Sequence, residues 1–275
     1  MLYNKLLKIK HFFGSKVLQS SNIYRLIQHG VEGSLIAQAF LKTLKNENTP
    51  DEDQLFEKLN QFRSDLLTDK RKISFEEIGS SVELTVAEVA RRAASPEIWT
   101  RFFYQLCKPN SIKNILEIGT NLGVSGQYFI KALEGKKNTK FITLEGVKGL
   151  CEMASARFNT LTSQNRYEVV HGLYDKTLPS VVKSRTRFDL VFIDGNHQYE
   201  ATLKYFELLK NKMADGALVI FDDIHWSKGM RKAWQEIGSQ KEIAFSINFF
   251  KLGIIVFDPK QSKPTDDHHQ LFLSL

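Results

Sequence analysis

From Asn114 onward the chain alternates short apolar runs with amphipathic stretches, and few architectures accept that pattern. The runs are NILEIG, FITLEG, YEVVHG, FDLVFIDG and ALVIFDD. Between them lie GQYFIKALEG, VKGLCEMASARFN and YEATLKYFELLKNKM, which carry helical periodicity. In the last, Tyr199, Leu203, Phe206, Leu209 and Met213 fall near one helical face. Strands apolar on both faces, alternating with helices, predict a parallel sheet covered on both sides. Two more runs, IAFSINFF and GIIVF, are separated only by Lys251 and Leu252. That gap is too short for a crossover, so the pair is expected to be an antiparallel hairpin.

The chain before Asn114 reads as helical. Thr49, Pro50 and Glu52 form an N-terminal capping signature, and Leu55, Leu59, Phe62 and Leu66 make the stripe of the helix that follows. GSLIAQAFLKTLK is similar in kind. KISFEEIGSS reads as a connecting loop. Thr85 with Glu88 forms a second capping box, and Ser95 caps a helix that starts at Pro96. The expected division is a helical extension over residues 1–72, serving as a lid or dimer arm, and an α/β domain over 73–275.

Composition excludes several classes. The 275 residues are 42% hydrophobic and 25% charged, an ordinary globular balance. No apolar run approaches the roughly 18 to 20 residues that span a bilayer. MLYNKLLKIKHFFGSK is basic and partly apolar but lacks a continuous apolar core and a cleavage site, so it is not read as a secretory signal. It reads as a helix docked on its own domain or on a partner subunit, which supports a homodimer, or as one lying on a membrane surface. Cys107 and Cys151 form no CxxC pair, which fits a reducing, cytoplasmic compartment. The net charge of +7 is spread over scattered lysines without an aromatic platform, which argues against nucleic acid.

ILEIGTNLGVSG is the first chemical signature. A strand ends near Glu117, Gly119 and Gly123 follow, and a helix opens. Such glycines let the backbone turn sharply and let a ligand lie against bare main chain. The spacing is neither GxGxxG nor a P-loop. A diphosphate would be repelled by Glu117, whereas a positively charged ligand would be attracted. The next strand places Glu145 where a Rossmann-like fold grips ribose hydroxyls. A nucleoside with a cationic tail and no phosphate describes S-adenosylmethionine.

The second signature is acidic. Asp194 ends one apolar run, and Asp222 with Asp223 ends the next. On neighbouring strands about 5 Å apart, three carboxylates would repel unless a cation sat among them. Hard oxygen ligands suit Mg²⁺, Mn²⁺ or Ca²⁺.

Taken in order, ILEIGTNLGVSG, FITLEG, FDLVFIDGNHQYE and GALVIFDDIHWSKGMRKAW resemble the class I S-adenosylmethionine-dependent methyltransferases. The similarity is greatest to the O-methyltransferase branch of catechol and macrocin type, over about residues 75 to 260. The resemblance implies an α/β, Rossmann-like, seven-stranded sheet, mostly parallel with a reversed C-terminal strand, helices on both faces and an N-terminal helical extension. It implies that Glu117, Gly119 and Gly123 hold the amino acid end of the donor, with Ser125 assisting. It places ribose on Glu145 and adenine near Gly172 and Leu173, and it counts Asp194 with the donor-binding set as well. Asp194, Asp222 and Asp223 would bind the metal, which lowers the pKa of an acceptor hydroxyl.

His197 stands where the catechol enzymes carry a lysine and is the candidate base, with Asp194 beside it in the catalytic set. His225 is a second candidate. Asn196 is a metal or substrate ligand or a turn residue, and Trp226 and Trp234 line an acceptor pocket or belong to the core. The expected activity is methyl transfer to a hydroxyl of a small molecule, assisted by a divalent metal. Alternatives are a metal-independent or RNA-directed methyltransferase, or a non-catalytic nucleoside-binding module.

Overall fold

The computed structural model describes residues 2–274. Helices α1 (Leu2–Ile27), α2 (Gly30–Lys45) and α3 (Pro50–Leu66) come first. Two short strands, β1 (Lys72–Ser74) and β2 (Glu83–Thr85), precede α4 (Val86–Ala93) and α5 (Glu97–Cys107). The alternation then runs β3 (Asn114–Ile118), α6 (Val124–Ala132), β4 (Lys140–Glu145), α7 (Lys148–Asn159), β5 (Tyr167–His171) and α8 (Tyr174–Lys183). It continues through β6 (Phe188–Ile193), α9 (Tyr199–Leu209), β7 (Met213–Phe221) and α10 (Lys228–Gly238). Strands β8 (Ile243–Asn248), β9 (Gly253–Phe257) and the short β10 (His268–Gln270) close it. This is the expected α/β class, with mostly parallel strands. The chain falls into two compact units, residues 39–185 and residues 1–38 with 186–275.

In the unit of residues 39–185, β4 lies between β3 and β5 and is parallel to both. Its helical part supports the loop after β3. Leu66 of α3, Ile73, and Val86, Val89 and Ala90 of α4 pack in one apolar cluster with Leu122, Val124, Val147 and Leu150. That cluster joins Leu66 to Ile73 across the boundary expected at residue 72. Both capping boxes form: Thr49 with Glu52, and Thr85 with Glu88. The buried face of α3 is Glu52, Phe56, Leu59 and Leu66, so Phe56 takes the place expected for Leu55. Glu52 is buried because it does a second job, accepting from Lys108 Nζ at 2.5 Å. Gln127 cross-links three helices, donating to Leu59 O at 3.1 Å and accepting from Arg157 Nε at 3.0 Å.

Three local expectations shift. KISFEEIGSS is not a plain loop, since β1 and β2 pair antiparallel across a 3-10 turn, Glu76–Ile78. Strands of three residues are too short to show alternation. Pro96 is itself the N-cap of α5, and Ser95 makes no capping bond. Met213 begins β7 rather than ending α9, whose buried face is Thr202, Tyr205, Phe206 and Leu209.

In the other unit, β6 is parallel to β7, and β9 runs antiparallel to both β7 and β8. The expected hairpin is therefore β8–β9, and β9 is the reversed strand. Short β10 adds to β8 in parallel. Helix α1 docks on its own chain: His11 Nε2 lies 3.0 Å from Leu271 O, Asn22 donates to Gln270 O at 2.7 Å, and the rings of Phe12 and Phe272 meet edge to face. No helix among the described residues is long and apolar enough to cross a membrane.

Trp234 of α10 lies flat against the first residue of β9. A Cβ at Gly253 would collide with three carbons of its ring. Gly253→Ala is therefore expected to lower the free energy of unfolding by about 1–3 kcal/mol, read by urea denaturation. Adding Trp234→Leu should shrink that penalty.

Candidate active site

The glycine loop is shaped by its own main chain. After β3 the chain turns at Gly119 (φ 106°), and the N–H groups of Gly119 and Thr120 donate to Leu144 O at 3.0 and 3.1 Å. Gly123 (φ 77°) directly precedes α6. A Cβ at Gly123 would also stand 3.0 Å from the Phe158 ring, so both backbone angle and helix packing require glycine there.

Glu117 lies beneath this loop, fully buried. Ser125 Oγ donates to its Oε1 at 2.5 Å and Thr143 Oγ1 to its Oε2 at 2.7 Å. Burial pushes the Glu117 carboxyl up to about 7; the two hydroxyls oppose that rise and the charge of Glu145 adds to it. Glu145, 6% exposed, closes the other side. It accepts from Asn121 N–H at 2.8 Å and Val147 N–H at 3.0 Å. Burial raises its pKa against those bonds. A carboxylate has about four acceptor positions, so Glu145 retains capacity for ligand hydroxyls.

Gly172 (φ 136°) donates its N–H to Glu145 O at 2.8 Å, and Leu173 is 41% exposed. The β1–β2 hairpin reaches the same place. Ile78 fits against Gly146, where a Cβ would meet it at 2.7 Å. Glu77 accepts from Lys148 N–H at 2.6 Å and lies 3.4 Å from His171 Nε2. Sequence reading missed Glu77 and Ile78, because nothing in a polar ten-residue stretch signals where its turn will dock.

The unit containing β6 and β7 holds the acids. The register pairs Ile193 with Phe221, so Asp194 and Asp222 follow side by side. The expected convergence is present, but the cation at its centre is the side chain of Lys251. Its Nζ lies 2.9 Å from Asp222 and donates to Asp223 Oδ1 at 3.0 Å. The register explains this as well: Phe221 pairs with Gly253 across the antiparallel β7–β9 ladder, so the residues just before β9 meet those just after β7. Burial opposes the charged ammonium, yet the two aspartates hold the Lys251 pKa above its ordinary value. Burial first, then the charge of neighbouring Asp222, drives the Asp194 pKa well up. Asp222 and Asp223 share the ammonium, and Asp194 stands beside them where burial favours its neutral form.

This arrangement does not fit the expected metal. Among the described residues no group of three or more His, Cys, Asp or Glu side chains is disposed to hold an ion. A divalent ion bound by Asp222 and Asp223 would have to displace the ammonium already bonded to both. The assignment of Asp194, Asp222 and Asp223 as metal ligands therefore finds no support in this geometry. Lys251 was missed because it reads as a turn residue until the β7–β9 register is known.

His197 Nε2 lies 3.6 Å from Asp194 Oδ1. His225 is stacked on Phe250 (4.5 Å, 7°), its Nε2 is 3.2 Å from Asn248 Nδ2, and burial takes its pKa down to about 4. Packing, not proton transfer, accounts for its position. Asn196 adopts a left-handed turn (φ 52°) and bonds Tyr205 OH at 3.3 Å. Trp226 is 69% exposed.

Residues 116–224 match the family described as "Methyltransferase domain". Solved structures share the fold. An O-methyltransferase from Bacillus cereus in complex with SAH has a TM-score of 0.55 at 19% identity, covering 74% of this chain and 90% of that one. The O-methyltransferase TomG from Streptomyces achromogenes, in complex with SAM, gives 0.52 at 20% identity, covering 60% and 82%. The SAH-bound methyltransferase PaMTH1 from Podospora anserina gives 0.53 at 15%, covering 74% and 96%. No curated protein matches the sequence significantly. Residues 116–224 thus match a methyltransferase domain, and the fold is one shared with solved methyltransferase structures.

Burial of Glu117 sets a pH dependence. Its folded pKa is raised from 4.5 to about 7, so the folded state holds the proton longer than the unfolded one. Stability from this group is full below about pH 4.5 and falls as pH rises toward 7, by roughly 3 kcal/mol. Glu117→Gln should therefore gain about 1–3 kcal/mol over wild type at pH 8 and little at pH 4.5, as measured by urea titration at both values.

Proposed function

We propose that the chain transfers the methyl group of S-adenosylmethionine to a hydroxyl of a small-molecule acceptor. The observation that carries this reading is the pair Glu117 and Glu145 at the ends of two neighbouring parallel strands, flanking a left-handed glycine loop. Two buried carboxyls there suit a nucleoside with a cationic tail and repel a diphosphate. In this reading Glu117 faces the donor's ammonium, with Ser125 fixing its rotamer. The loop from Gly119 to Gly123 lies under the amino acid end. Glu145 accepts from the ribose hydroxyls, and Gly172 and Leu173 flank adenine.

His197 is the assigned base, with Asp194 orienting it, because His225 is packed and too weakly basic. The acceptor oxygen attacks the methyl carbon as its proton passes to the ring nitrogen of His197 that does not face Asp194. The C–S bond breaks and its electron pair returns to sulfur, leaving S-adenosylhomocysteine and an O-methylated product. Positioning supplies much of the rate. The reading extends to a homodimer through the outward side of α1, where Phe13, Val17 and Tyr24 are exposed. It also includes a cytoplasmic setting, consistent with two free, buried cysteines.

Calorimetry with S-adenosylhomocysteine should give one site per chain, weakened about tenfold or more by Glu117→Gln. Because the donor's ammonium favours ionised Glu117, binding near pH 7 should release protons, seen as heats that vary with buffer ionisation enthalpy. Absence of binding would sink the reading. His197→Gln should lower kcat by roughly 10²–10⁴ while leaving donor affinity nearly unchanged.

A further inference from the structure

Lys251 belongs to a connection that is fixed at every point. Lys251 N–H donates to Phe249 O at 3.0 Å, Phe249 N–H donates to Leu252 O at 2.9 Å, and Ile224 N–H donates to Lys251 O at 3.2 Å. The residue before it, Phe250, is held at φ 71°. A bulky residue in the left-handed region persists only where the surroundings impose it. The opposite partner is held likewise: Asp223 sits at φ 52°, and its carbonyl accepts from Trp226 N–H at 2.8 Å. Neither end of the Lys251–Asp223 pair is a loose surface side chain. Asp222 is buried and Lys251 is about one-third exposed.

The distances are those of charge-assisted hydrogen bonds, 2.9 and 3.0 Å. Mg²⁺ or Ca²⁺ bound by the same oxygens would have to come within about 2.0–2.6 Å of them, in the space the ammonium fills. An ammonium and a dication within about 4 Å of each other would also repel strongly in a partly buried site. The two are mutually exclusive occupants.

We propose that Lys251 is the built-in cation of this site: its ammonium takes the seat between Asp222 and Asp223 that a divalent ion would otherwise fill, and its presence keeps such an ion out. The chemistry implied is a metal-independent site whose single positive charge is covalently supplied. Removing the ammonium leaves the carboxyl groups of Asp222 and Asp223 beside Asp194 without their lysine partner, and oxygens so placed form a site for a hard dication. Lys251 acts as a positioning residue that fixes both carboxylates. The claim about cation occupancy stands independently of the proposed methyl transfer.

The test is Mn²⁺ titration of the full chain, followed by loss of the free-ion electron paramagnetic resonance signal. Wild type should take up no stoichiometric Mn²⁺. Lys251→Met, of similar length and neutral, should take up one ion with affinity roughly tenfold or more above any wild-type uptake, and adding Asp222→Asn should abolish it. Circular dichroism establishes folding of each variant, and Lys251→Gln replaces Lys251→Met if the latter does not fold. Stoichiometric uptake by wild type that is lost in Asp222→Asn would overturn the proposal, and that arm needs no lysine variant. So would a folded Lys251 variant that takes up none. In a second arm, wild type dialysed against chelator should keep its donor turnover, and a drop of about tenfold or more restored by Mg²⁺ would also overturn it. If no acceptor is methylated under any condition, the proposed function fails while the Mn²⁺ titration still decides the role of Lys251.

Discussion

A carboxylate at the end of a buried strand has to be hydrogen-bonded, protonated or paired, because a bare charge there costs several kcal/mol. Glu117, Glu145, Asp194, Asp222 and Asp223 are such groups, and they are resolved in several ways. Glu117 takes two hydroxyl donors and a raised pKa. Glu145 takes main-chain N–H groups from both flanking turns. Burial drives the Asp194 pKa up, and Asp222 and Asp223 share an ammonium. The local backbone follows from these solutions. The glycine loop is held in place partly because Asn121 N–H is bound by Glu145, and the β8–β9 connection is held partly because Lys251 is bound by Asp222 and Asp223.

The surrounding framework is built to keep those groups still. Helices α3 and α4 do not stand apart as an accessory; their apolar faces share a cluster with Leu122 and Val124 of the loop. Capping boxes at Thr49 and Thr85 fix where the helices begin, each worth about 1 kcal/mol. The first box also ties α3 to α5, since Glu52 reaches Lys108 and Gln105 as well as its own cap. A polar group that caps a helix and pairs across an interface orders both at once.

Much of the α/β architecture was legible from pattern. Runs such as FDLVFIDG are apolar on both faces, and only a covered sheet tolerates that. The two-residue gap at Lys251 and Leu252 required a hairpin whatever the rest of the fold. Both capping boxes were legible because their residues are neighbours in sequence. Placement of Glu117, Glu145 and the left-handed glycines was legible because strand, turn and helix are contiguous there. Less legible was the docking of KISFEEIGSS, whose strands are too short for periodicity, and the burial of Phe56 in place of Leu55, which depends on helix rotation.

The sequence by itself determined which residues sit at strand ends and that acids collect there, since that information is local: composition, period and turn chemistry. Only the tertiary structure decided what neutralises them. Lys251 lies 28 residues beyond Asp223 along the chain, and what brings the two together is the antiparallel register of β9 on β7. Register is a property of two strands in contact, set by packing on both faces at once. A lysine that reads as an ordinary turn residue becomes, through that register, the counter-charge for a pair of aspartates.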